Sequence, residues 1–179
     1  MKHNKGFAGI ALAVALAVAA GSALADRGRG GMFFHAKLEG FQEVPVVSTA
    51  GEGSFRARLS RDGQFIEWEL EYSGIATTPI MAHIHLGQHS VNGGISVWLC
   101  QSATNPAPAA VAASVATCSP SPAHYVGTIT ATSVVGPGGA QQLSAGELAE
   151  LIRAMREGVT YVNVHTSVSP GGEIRGQIK

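Results

Sequence analysis

Phe55, Ala57 and Leu59 alternate with Ser54, Arg56 and Arg58, and beyond Asp62-Gly63 the alternation resumes as Ile66, Trp68, Leu70 and Tyr72 against Glu67, Glu69 and Glu71. A period of two puts one set on each face of a strand, and Asp-Gly between two such runs signals a tight hairpin. With Asp62 and Gly63 as the loop, Leu59 faces Ile66, Arg58 faces Glu67, Ala57 faces Trp68 and Arg56 faces Glu69. Apolar pairs then share one face and two Arg–Glu pairs the other, each worth roughly a few tenths of a kcal/mol.

Similar strand signals cover Met32 to Leu38, Met81 to Leu86, Ile95 to Cys100, Tyr125 to Ala131, Val159 to Thr166 and Glu173 to Ile178, separated by Gly, Pro and Ser turns. One segment breaks this rhythm. Ser144 and Glu147 have capping-box spacing, Leu148, Leu151, Ile152 and Met155 form one apolar stripe, and Gly158 supplies the stop. The expected class is all-β, an antiparallel sandwich of about eight strands with one short helix packed over an open end.

Lys2 and Lys5, the apolar run Phe7 to Ala20 and Ala23-Leu24-Ala25 have the layout of a secretory signal peptide, expected over residues 1–25. The run falls short of the roughly 20 residues that span a bilayer, so no stable membrane span is expected after cleavage. Residues 26–31 read as a flexible lead-in and 32–179 as a single domain. Loss of the two lysines changes twelve basic and twelve acidic side chains to ten and twelve. That mild acidity argues against nucleic acid as a partner.

An exported chain with two cysteines is expected to join Cys100 to Cys118 in a disulfide. The bond would close the Ala, Pro and Ser-rich insert 101–117, expected to be flexible, with a stabilisation of about 3 kcal/mol in the entropic model.

Candidate chemistry gathers on two strands. In Met81-Ala82-His83-Ile84-His85-Leu86, Ala82, Ile84 and Leu86 take the core face and Met81, His83 and His85 the other. In Tyr161 to Thr166, Val162 and Val164 point inward while Tyr161, Asn163 and His165 point outward, and antiparallel pairing adds Glu173, Arg175 and Gln177 to that side. Imidazoles two residues apart on a strand lie roughly 6–7 Å apart, a span that one metal ion bridges. The candidate ligands are therefore His83, His85 and His165, with Met81 and His89 weaker, and Tyr161, Asn163, Glu173 and Arg175 around them. Imidazole suits copper or zinc, and a Met81 thioether would favour Cu(I). Affinity is then expected to fall as pH drops through about 6.5. Glu43 reads more readily as part of a solvated turn than as a ligand, and His35 and His124 as weak candidates. A phosphate loop and a nucleophile elbow are both missing from the sequence, so enzyme chemistry has little support.

Leu38-Glu39-Gly40-Phe41-Gln42-Glu43-Val44-Pro45, Ala82 to Gly87, Gly158 to Thr166 and Gly172 to Ile178 together resemble the CHRD domain, the module named after chordin and common in secreted bacterial proteins. The resemblance spans nearly the whole mature chain and implies a secreted or periplasmic β-sandwich module, without fixing a reaction. A looser similarity to copper-zinc superoxide dismutase implies copper at His83, His85 and His165, with Arg175 attracting an anion. A zinc loop is missing, however, and no certain bridging histidine is found. The readings carried forward are a copper-binding extracytoplasmic protein, a metal-free module contacting an extracellular or envelope protein, and, least, a dismutase-like redox enzyme.

Overall fold

The computed structural model describes Met1 and residues 31–179; the expected signal peptide beyond Met1, and the lead-in up to Gly30, lie outside the described residues. The Asp62-Gly63 hairpin joins β2 (Glu52–Leu59) to β3 (Ile66–Ser73). Its register pairs Leu59 with Ile66, Arg58 with Glu67, Ala57 with Trp68 and Arg56 with Glu69, as the alternation requires. Gly63 takes a left-handed φ of 70°, the conformation that a glycine in this turn accommodates at least cost.

Around this hairpin lie β1 (Phe33–Glu39), β4 (Pro79–Leu86), β5 (Gly94–Gln101), β6 (Ala116–Thr117), β7 (Ala123–Ile129), β8 (Thr160–Thr166) and β9 (Ile174–Gln177). They form a single nine-stranded sheet in the order β6-β5-β4-β8-β9-β1-β2-β3-β7. The expected class of mostly β structure holds, but two details differ. The strand blocks β5-β4-β8-β9 and β1-β2-β3-β7 are not separately bonded layers, because β1 pairs with β9 through Glu39 and Arg175. In addition, β6 runs parallel to β5, so the sheet is mixed.

One core takes side chains from both blocks, including Leu38, Phe55, Leu70, Ile84, Leu99, Val164 and Ile174, so the sheet must curl to bring them together. Helix α2 (Leu148–Arg156) adds Leu148, Leu151, Ile152 and Met155, the predicted stripe. Its capping box is only half made: Glu147 accepts the Ser144 N–H at 2.7 Å, and the helix starts directly after Glu147. Gly158, with φ of 67°, follows its end.

Cys100 and Cys118 are bonded. The insert between them is more structured than its composition implied. It holds the short helix α1 (Ala109–Ala112) and strand β6, and Gln101 organises it by donating to the carbonyls of Ala112 and Val115 while accepting from Ala107 N–H.

Candidate functional site

Strands β4, β8 and β9 lie side by side in the middle of the sheet. Their register sets Met81 opposite His165, His83 opposite Asn163, His85 opposite Tyr161 and Asn163 opposite Arg175. Directly opposed residues share a face, so the grouping expected from parity is realised, with Val162, Val164, Ile84 and Ile174 on the core side.

The histidines are not surface-facing, as the alternation alone suggested. His83 is 0%, His85 7% and His165 5% exposed. Segments 40–47, 87–93 and 167–172 return over their face and tie it down. Asn92 Nδ2 donates to Val44 O at 2.9 Å, and His165 Nδ1 donates to Pro170 O at 3.0 Å. Gln177 Nε2 donates to Gly87 O at 2.9 Å.

The tautomers follow from the acceptors. His85 Nδ1 faces Gly93 O at 2.9 Å and His165 Nδ1 faces Pro170 O, and a carbonyl can only accept. Each neutral ring has one N–H, so both Nε2 atoms carry lone pairs. His85 Nε2 has no partner, nor has His83 Nε2. His165 Nε2 lies 2.9 Å from Asn163 Oδ1, another acceptor, and 3.3 Å from His83 Nδ1. Ligating nitrogens of all three rings lie within 4.8 Å of one another. His83 supplies the remaining N–H: on Nδ1 it donates to His165 Nε2, which leaves the Nε2 atoms of His83 and His85 without a partner, so the pocket is short of donors, a lack that a cation or a donor group satisfies. The 3.3 Å separation also equals the roughly 3.3–3.4 Å expected for two nitrogens held at 2.0–2.1 Å on one tetrahedral ion.

Burial is the main reason that these rings stay neutral. It lowers His83 to about 2, with the neighbouring His165 and His85 adding to the effect. It lowers His85 to about 4 against the opposing bond to Gly93 O, and it depresses His165 as well.

Aromatic packing fixes the ring planes. Trp98 stands edge-on to His83 with centroids 4.2 Å apart, and Tyr161 stacks on His85 at 4.7 Å and 2°. Arg175 completes the stack, its Cζ 3.4 Å from the Tyr161 centroid. The guanidinium is 1% exposed and donates to Gln88 O, Val91 O and Asn92 Oδ1. It is therefore a clamp on the 87–93 loop, and the anion-attracting role implied by the dismutase similarity does not suit it.

Other candidates separate from the cluster. His89 is exposed and bonds Ser90 Oγ at 2.8 Å. Met81, half-buried beside His165, keeps its position on the shared face. Glu173 is buried, but its partners are Thr49 Oγ1, Ala76 N and Thr166 Oγ1, none of them in the cluster; β9 begins at Ile174, so strand parity no longer governs it. His35 is exposed, and His124 bonds Glu69 on the outer face of β3 at 2.7 Å.

Two neighbours were missed. Trp98 pairs with His83 in the β4–β5 register, which the alternation identifies only once those strands are known to be adjacent. Glu43, read as a solvated turn residue, is 4% exposed, and its carboxyl is raised to about 7 by burial, against the charge of Arg175 and hydrogen bonds from Val44 and Asn163.

No curated protein and no solved structure matches the chain. A family model described as the CHRD domain matches residues 34–178, from the first strand through the segment that closes the histidine face, and the chain belongs to the CHRD-domain family.

Proposed function

We propose that His83, His85 and His165 bind one transition-metal ion, copper above zinc, in a protein working outside the cytoplasm. The observation that carries the reading is the gathering of three buried imidazoles, with ligating nitrogens within 4.8 Å of one another and two Nε2 atoms unpartnered, in a pocket where the N–H groups of His85 and His165 already serve Gly93 and Pro170. Outward hydrogen bonds of this kind orient ligating histidines in metal sites. Met81 is the candidate fourth ligand, and its thioether favours copper. An extracytoplasmic location agrees with an extracellular-type domain that carries a disulfide. Among the described residues, no helix is long and apolar enough to cross a membrane.

Since burial holds His85 neutral down to about pH 4, proton competition for the metal should begin near there, well below the 6.5 of a free imidazole. The test is metal analysis of protein purified without an affinity tag, beside His83→Ala and His165→Ala. Wild type should hold Cu(I), Cu(II) or Zn(II) at least tenfold more tightly than either variant. Equal binding by all three proteins would overturn the reading.

A second reading, a metal-free module docking on an extracellular or envelope protein, is favoured by exposed Phe41, Val46, Val91 and Val168 on the covering segments. Wild-type protein that takes up none of the three ions would leave this reading standing.

A further inference from the structure

Three neutral imidazoles contribute no charge, so an ion among them leaves one or two positive charges uncompensated in a buried region that already holds Arg175. Burying such charge is costly without an anion nearby. Among the described residues two carboxylates are buried, Glu43 and Glu173. Glu173 already receives hydrogen bonds from Thr49, Ala76 and Thr166. Glu43 keeps an oxygen, Oε1, with no hydrogen-bond partner.

The position of Glu43 depends on residue 172 being glycine. A Cβ there would lie 2.1 Å from Glu43 Oε1 and 2.9 Å from Asn163 Nδ2, so the carboxyl and the amide nitrogen meet over the bare backbone of Gly172. The other end of the same amide, Oδ1, lies 2.9 Å from His165 Nε2. Glu43 is thus one amide side chain away from the imidazole cluster, on the side where Asn163 turns its oxygen toward the rings.

We infer that Glu43 is the counter-charge of the histidine centre, a positioning residue that sets its preference for divalent over monovalent ions. This inference rests on the metal reading above. Coulomb attraction scales with the charge of the ion, so removing one negative charge at fixed distance changes the logarithm of affinity about twice as much for a divalent ion as for Cu(I). A purely structural role for Glu43 would weaken all ions by the same factor.

The experiment measures dissociation constants for Cu(I), Cu(II) and Zn(II) by chelator competition at pH 8, on wild type, Glu43→Gln and Glu43→Asp, with unfolding midpoints recorded alongside. Glu43→Gln should lose on the order of tenfold for Cu(I) and a hundredfold for the divalent ions at an effective dielectric of about 20 over roughly 10 Å, while Glu43→Asp keeps the wild-type ratio. Equal losses for all ions, no loss, or a ratio altered as much by Asp as by Gln would overturn the inference while leaving the histidine site intact. Failure of the wild type to bind any of the three ions would overturn both.

Discussion

The sheet carries two polar faces written in the same alternating code. On β2 and β3, Arg56, Arg58, Glu67 and Glu69 lie on the wet side, with Arg58 bridging Glu67 at 2.5 Å and Arg56 reaching Glu69 at 3.7 Å, all at least one-third exposed. On β4, β8 and β9, His83, His85, Asn163, His165, Arg175 and Gln177 occupy the equivalent positions and are buried. Sequence periodicity distinguishes a polar face from an apolar one, but burial is decided by what returns over it. Water screens the first face, and its charged groups are close to independent of one another. The second face has protein on both sides, so each polar atom needs a partner, and those without one, His83 Nε2 and His85 Nε2 among them, call for an explanation.

The sharpest break between the faces should come from removing one arginine from each. Arg175→Met would leave Val91 O without its donor and Gln88 O with only the Val91 N–H, remove the cation from the Tyr161 ring and take away the positive charge that favours the Glu43 carboxylate. The expected cost is about 3–5 kcal/mol, the range for breaking a buried charged network. Arg58→Met on the wet face should cost under about 0.5 kcal/mol. Urea unfolding of both variants measures the difference, and comparable costs would show that burial does not separate the two faces.

Acid should next expose the buried face through linkage. Unfolded histidines titrate near 6.5, whereas native His83 and His85 stay neutral to about 2 and about 4. Between these limits the unfolded chain binds protons that the native protein refuses, so stability is full above pH 6.5 and falls with pH. Glu43 acts in the opposite direction. Its native value of about 7 lies above the ordinary 4.5, so its contribution is present below 4.5 and lost as pH rises through 7. His83 and His85 against Glu43 alone leave a net loss of about 1.4 kcal/mol per pH unit, and the depressed His165 adds to it. The metal-free protein should therefore lose on the order of 2–3 kcal/mol from pH 6.5 to 4.5. Glu43→Gln should steepen the fall and His83→Gln flatten it. A wild-type stability that stays level or rises over this interval would contradict the buried, neutral state of the cluster.

The parts legible in the sequence are those governed by local periodicity. The hairpin register around Asp62-Gly63, the α2 stripe, the joined cysteines and the shared face of His83, His85 and His165 all follow from parity, spacing or compartment. What was not legible depends on contacts between distant segments. Glu43 is buried because Gly172, far later in the chain, leaves room for its carboxyl. The continuous sheet depends on β9 meeting β1 at Arg175 and Glu39, a pairing that no alternation encodes. Strand β6 is two residues long in an insert without period, and it forms where the disulfide brings it alongside β5.

The smallest effect tests the wet face alone. Arg58 and Glu67 stand directly opposite on β2 and β3, and Arg58 places both Nε and Nη2 on one carboxylate oxygen, at 3.0 and 2.5 Å. Short distances invite a large energy, but both side chains are about half exposed. Water solvates the separated charges nearly as well, and holding two long side chains in one geometry costs rotamer freedom. A double-mutant cycle with Arg58→Ala and Glu67→Ala should give a coupling of about 0.2–0.5 kcal/mol that shrinks further in 0.5 M salt. A coupling above about 1.5 kcal/mol, unmoved by salt, would mean that this face too is effectively desolvated, and the contrast between the two polar faces would fail at its simpler end.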